Sequence, residues 1–146
     1  MSALITNTGS TALIYEFRTY DIRPRMVPDY QKAFHEKLDD RQKLSRLAGH
    51  WYTEVGPINQ IVAVWPYESL DERRRIRREA ESGPDPVWPP NTGDFVVDMK
   101  SEIFLPAPFM QPLEDGDLGP IYEMRIYTYK AGTIHTVLQR WAEAIP

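Results

Sequence analysis

The sequence predicts an α+β domain of the ferredoxin-like kind, and three observations predict it. Four segments read as strands, two amphipathic stretches of helical period lie among them, and the elements run β-α-β-β-α-β. That order is two split βαβ units, which make one antiparallel sheet with both helices on one face. The composition agrees. A chain of 146 residues with 42% hydrophobic and 12% aromatic content holds a packed core and is not disordered wholesale.

Each element has its own warrant. Leu13 to Ile22 is rich in Ile, Tyr, Phe and Thr, the residues that suit a pleated strand. A helix begins near Met26, with Pro28 tolerated in its first turn, and runs to about Ala48 before Gly49 stops it. His50 to Val55 is a short strand, Gly56-Pro-Ile-Asn59 a turn, and Gln60 to Trp65 a continuous apolar strand, so this pair is a hairpin. Ser69 caps a second helix ending near Glu81, with Glu72 three residues on as its capping-box partner. The proline- and glycine-rich stretch from Ser82 to Asp94 is an irregular loop. Phe95 to Leu105 is the last strand, closed by Pro106-Ala-Pro108.

Part of the first unit recurs. Ile14-Tyr-Glu-Phe-Arg-Thr-Tyr20 returns as Ile121-Tyr-Glu-Met-Arg-Ile-Tyr127, with Ile, Tyr, Glu, Arg and Tyr conserved in place. Beyond the strand, Tyr30, Phe34 and Leu38 correspond at the same offset to Val137, Trp141 and Ile145. The organisation expected is a ferredoxin-like domain over 1–109, a linker over 110–120, and a truncated second strand-plus-helix repeat over 121–146. A strand over Ile121 to Tyr129 without a sheet of its own is a liability, so it is expected to join a sheet edge in its own subunit or a partner.

Strand alternation sorts the repeated motif into two faces. Tyr15, Phe17 and Thr19 share one, and Glu16, Arg18 and Tyr20 the other. The apolar set is expected under the helices. The charged row then faces the uncovered side of the sheet, which a second copy would bury. On that reading Glu16, Arg18 and Tyr20 line a cavity between two sheets, with Asn59 and Trp65 near its mouth. Arg18 would orient an anionic or carbonyl group, Tyr20 would donate a hydrogen bond, and Glu16 would be the candidate base. Glu123, Arg125 and Tyr127 are the second-repeat equivalents. A plainer reading stands beside this one: Glu16 and Arg18 are an ion pair that satisfies itself inside an interface.

Other motifs point away from chemistry. His35 and Asp39 stand at i, i+4, but a third ligand with suitable spacing is absent, so no metal site is expected. His50, beside Trp51 and Tyr52, reads as structural. The run Glu72-Arg-Arg-Arg-Ile-Arg-Arg-Glu79 reads as a solvated helix laced by Asp71–Arg75 and Arg75–Glu79 pairs. With 17 basic against 21 acidic residues and a net charge of −4, no nucleic-acid partner is expected. The absence of cysteine excludes disulfides and thiolate chemistry. No phosphate-cradling glycine loop or nucleophile elbow occurs, and no cofactor is expected. No apolar run is long enough for a membrane span, and Arg18 is the first basic residue, which speaks against a secretory or transit leader and for a cytoplasmic protein.

Four segments together resemble the NIPSNAP family: Ile14 to Tyr20, Gly56-Pro-Ile-Asn-Gln-Ile-Val62, Val64-Trp-Pro-Tyr-Glu-Ser-Leu-Asp-Glu-Arg73 and Met99-Lys-Ser-Glu-Ile-Phe-Leu-Pro-Ala-Pro-Phe109. They occur in family order and span nearly the whole chain. The resemblance implies a dimeric α/β barrel in which two ferredoxin-like units pack sheet to sheet, and often two tandem units per chain. It implies little about chemistry, because one fold hosts many functions. The expectation is therefore a homodimer that binds a small, partly apolar molecule, with cofactor-independent oxygenase or isomerase-type chemistry as one option. A non-catalytic protein-interaction module is the alternative. No catalytic residue is assigned.

Overall fold

A computed structural model describes residues 14–111, 113 and 118–145. Leu13, the leader reading of the first residues, part of the 110–120 linker and Pro146 lie outside the described residues. The elements run β1 (Ile14–Ile22), α1 (Val27–Gln42), β2 (Gly49–Tyr52), β3 (Gln60–Tyr67), α2 (Leu70–Ala80), β4 (Val96–Phe104) and α3 (Ile134–Ala144). The chain divides between Leu105 and Pro106 into two compact units.

In the first unit the strands form one antiparallel sheet in the order β2-β3-β1-β4. The fold is ferredoxin-like, as the element order predicts. Central β1 pairs with β3 through Glu16↔Trp65 and Tyr20↔Ile61, and with β4 through Arg18↔Ser101 and Tyr20↔Met99. Directly opposed residues share a face, so this register fixes which side chains meet. Pro66 is accommodated inside β3 because it lies past Val64, the last residue of that strand paired with β2.

Both helices pack on one face. Tyr30 and Phe34 from α1, and Ile76 and Ala80 from α2, join Ile14, Tyr20, Ile22, Ile61, Ala63, Trp65 and Tyr67 in a single core. Trp88 from the irregular loop completes it, its ring 5.1 Å from Phe34 and 5.8 Å from Trp65. The opposite face carries Tyr15, Phe17, Val62, Val64, Trp51 and Phe104, and neither α1 nor α2 covers it. On it Phe17 and Phe104 stand edge to face at 4.8 Å. The Trp51 indole lies over Gly49, where an added Cβ would collide with the ring.

This reverses the expected faces. The apolar set of β1 lies on the helix-free side, and Glu16, Arg18 and Tyr20 lie beneath the helices. Alternation separates two faces but does not say which one the helices cover. An arginine from α2 decides it, as described below.

Smaller differences have local causes. α1 ends at Gln42 rather than Ala48, where buried Arg41 donates to the hydroxyl of Ser45 at 2.8 Å and turns the chain into the core. Ser69 caps α2 by accepting from the Glu72 amide at 3.1 Å, but the Glu72 carboxylate accepts from the Glu68 amide, one residue before the cap. Arg75 pairs with Glu79 as expected, at 3.1 Å, whereas Asp71 meets Arg74 instead of Arg75. In the second unit α3 forms, but residues 121–129 carry no strand. A strand exists through its ladder bonds, and among the described residues this segment has no ladder partner.

Candidate functional site

The charged row on β1 is the chemical centre of the first unit. Glu16 is completely buried. Its Oε1 accepts from Arg73 Nη2 at 2.6 Å, from the Ser101 hydroxyl at 2.6 Å and from Arg18 Nη1 at 3.1 Å, and its Oε2 accepts from Arg73 Nε at 2.9 Å. Arg73 thus grips the carboxylate through two nitrogens, the geometry in which a guanidinium binds most strongly. Burial opposes ionisation of Glu16, but the hydrogen bonds from Arg73 and Ser101 and the charges of Arg18 and Arg73 outweigh it. They hold its pKa at about 2.

Arg18 joins this anchor to an aromatic relay. Its Nε donates to the Tyr20 hydroxyl at 2.7 Å, and its guanidinium carbon lies 5.4 Å from the Tyr20 ring centre. Tyr20 in turn packs against Tyr30, their ring centres 5.5 Å apart. Burial works against the charge of Arg18, but the Tyr20 and Glu16 oxygens prevail and raise its pKa above the ordinary value. Burial pushes the Tyr30 phenol up. The remaining Arg18 nitrogen, Nη2, meets the thioether of Met99 at 3.7 Å. A thioether is a weak acceptor, so this corner of the guanidinium is poorly satisfied. Edge strand β4 presents Met99, Ser101 and Ile103 on the same side of the sheet, all exposed. Arg18 thus lies beside an exposed stretch of β4 that carries two apolar side chains, Met99 and Ile103.

The sequence-selected residues divide accordingly. Glu16, Arg18 and Tyr20 are together, but on the helix side of their own sheet and not facing a second sheet. Trp65 stands opposite Glu16 on that side, buried, with the Arg41 guanidinium 4.4 Å above its ring. It is a core residue and does not line the mouth of a cavity. Asn59 holds the β2–β3 turn with φ 59°, and its carbonyl accepts from the Ile22 amide at 2.8 Å. The role of Glu16 also changes. A carboxylate held by four hydrogen bonds and ionised down to about pH 2 is no general base near neutrality.

Sequence reasoning missed Arg73 and Ser101. A signal for Arg73 was present: Ile76 and Ala80 form the apolar stripe of α2, and Arg73 stands one turn before Ile76 on the same face. Ser101 is placed only by the β1–β4 register.

In the second unit, Arg125 donates to Glu123 at 2.7 Å and both are 66% exposed, so this pair is solvated. Tyr127 stacks beside Tyr129 and Trp141 at 6.2 and 6.0 Å, and the Trp141 indole donates to the Tyr129 hydroxyl.

His50 is a half-buried residue outside the charged row, with its Nε2 atom shut off from solvent. Its ring stacks on Phe34 at 4.2 Å with His35 edge-on at 5.6 Å, and its Nε2 has no hydrogen-bond partner. Burial, helped by His35, lowers its pKa to about 4, so it is neutral at physiological pH. Among the described residues no group of three or more His, Asp or Glu is placed to hold a metal ion. No helix among them is long and apolar enough to cross a membrane.

The NIPSNAP family model matches residues 15–111, a span from β1 to just past the end of the first unit that holds the whole charged row. The chain belongs to the NIPSNAP family. A NIPSNAP-like domain protein from Burkholderia xenovorans is 32% identical over 78% of this chain and 97% of its own, with a TM-score of 0.62. A NIPSNAP family protein from Agrobacterium tumefaciens is 34% identical over 71% of this chain and 96% of its own, with a TM-score of 0.61. Among curated relatives, a NipSnap homolog of Dictyostelium discoideum is 39% identical over 51% of this chain and 33% of its own length. Human NipSnap homolog 3A is 26% identical over 82% of this chain and 49% of its own. The chain thus spans half or less of the length of these two NIPSNAP relatives. A putative antibiotic biosynthesis monooxygenase from Nitrosomonas europaea shares the fold at a TM-score of 0.50 and 8% identity.

Proposed function

We propose that this NIPSNAP-family protein is a homodimer in which each copy binds a small, partly apolar molecule through a carboxylate or carbonyl at Arg18. The observation that carries the reading is the state of Arg18. Its side chain is only 13% exposed, it is fixed by Glu16 and Tyr20, and its outward nitrogen has a thioether for an acceptor. An immobilised guanidinium with a poorly satisfied donor, beside Met99 and Ile103, suits an anionic head with an apolar tail. What supports the dimer is the helix-free face, where Phe17 and Trp51 are only half-buried and Phe104 is exposed, leaving aromatic surface that a twin sheet would bury. Oxygenase or isomerase-type chemistry on the bound molecule would use Arg18 to stabilise negative charge on a carbonyl oxygen, with the base supplied by a group other than Glu16.

Titration calorimetry with octanoate, using octanol as the uncharged control, tests the reading. Octanoate binds the wild type, octanol binds at least tenfold more weakly, and Arg18→Gln abolishes the difference while its far-UV circular dichroism is unchanged. Equal affinity of wild type and Arg18→Gln for octanoate refutes the anchor. No heat and no thermal shift with octanoate or a metabolite panel favours a protein-interaction module instead.

A further inference from the structure

Met99 is 57% exposed on edge strand β4, and its sulfur lies 3.7 Å from Arg18 Nη2. The stronger acceptors around that guanidinium are engaged: Tyr20 takes Nε, and Glu16 Oε1 is shared among Arg18, Arg73 and Ser101. The thioether is thus the soft, reactive member of an otherwise hard network.

We propose that Met99 is a reversible oxidation site whose sulfoxide locks Arg18 and withholds it from its ligand; that second effect rests on Arg18 being the ligand's anchor. The oxidant is a peroxide. A sulfur lone pair attacks one peroxide oxygen, the O–O bond breaks as the S–O bond forms, and with hydrogen peroxide the other oxygen leaves as water. Sulfur gives up two electrons and the peroxide takes them. Exposure gives the oxidant access, and the neighbouring guanidinium favours the negative charge that gathers on the departing oxygen. The product oxygen stands one bond nearer to Nη2 than the sulfur did. That converts a long thioether contact into a charge-assisted hydrogen bond of about 2.9 Å. Methionine sulfoxide is returned to methionine by dedicated reductases, so the lock is reversible.

The full-chain protein is treated with limiting hydrogen peroxide and each methionine is followed by peptide mass spectrometry. Met26 and Met124, 37% and 55% exposed, serve as references for exposure alone. Met99 is expected to oxidise several-fold faster than either. Oxidised wild type is expected to bind octanoate at least tenfold more weakly, and Met99→Leu to bind it equally before and after peroxide. Side-chain NMR of ¹⁵N-arginine protein reads the lock without any ligand: an Arg18 Nη–H signal with slowed exchange appears on oxidation of wild type and is absent in Met99→Leu. If untreated protein fails to bind octanoate while that signal appears, the anchor reading fails and the lock stands. Oxidation of Met99 that leaves the Arg18 signals unmoved overturns the lock.

Discussion

Replacing Glu16 by Gln isolates the anchor that joins β1 to α2. The substitution keeps the side-chain volume but removes the charge that Arg18 and Arg73 share, and it aims an amide donor at their donors. A pKa held at about 2 against an ordinary 4.5 corresponds to about 3 kcal/mol of preference for the ionised form in the folded state, at 1.4 kcal/mol per unit. Removing one partner of a buried pair costs about 3–5 kcal/mol. The side chains of Arg73 and Arg18 are 24% and 13% exposed, so water relieves part of their loss and the lower end applies. The expected cost is about 3 kcal/mol near neutral pH, or roughly 10 °C in Tm for a domain of this size. The sign of the pH dependence follows from the depressed pKa. Stability from Glu16 is fully present above pH 4.5 and is lost as the pH falls towards 2. Urea unfolding of both proteins should therefore show a full gap at pH 6 that closes by about pH 2. A gap of the same size at both pH values would refute the reasoning, because it would trace the loss to packing and not to the ionised carboxylate.

Three further outcomes follow. His50 is held neutral with a pKa of about 4 against an ordinary 6.5, so the unfolded chain takes its proton first and stability falls as the pH drops between those values. Wild type should lose about 2–3 kcal/mol between pH 6.5 and 4.5 through this group, and His50→Phe, which keeps the stack on Phe34, should flatten the change in urea midpoints. Gly49→Ala should displace the Trp51 indole, cost about 1–3 kcal/mol and shift the tryptophan fluorescence; an unaltered spectrum at wild-type stability would contradict the close approach of ring to backbone. Ending the chain at Pro120 removes the exposed apolar side chains of Ile121, Met124, Ile126 and Trp141 and should change the number of chains per particle seen in sedimentation velocity; an unchanged number would count against an association role for that segment.

The strands were legible because their signals are local: alternation in β1, an unbroken apolar run in β3, and turn residues between β2 and β3. The NIPSNAP motifs were legible for the same reason. What escaped was the destination of each face. Alternation is symmetric, and a row bearing Glu16 and Arg18 reads as the wetter side until its partner is known. That partner, Arg73, is 57 residues away and sits in a run of arginines that looks solvated. Burial of Glu16 becomes tolerable only once Arg73 and Ser101 arrive, and neither is a neighbour in sequence. The extent of α1 was misread on similar grounds, since Arg41 turns inward to Ser45, Tyr67 and the Trp65 ring in place of solvent.

On the proposed reading, setting the ionic row beneath the helices and the aromatic row on the other side of the sheet separates two events that a shared chamber would have fused. Occupancy at Arg18 and meeting of sheets would then draw on opposite sides of one β layer. Stoichiometry should then be one guest per chain, with a dissociation constant indifferent to dilution through the monomer–dimer range.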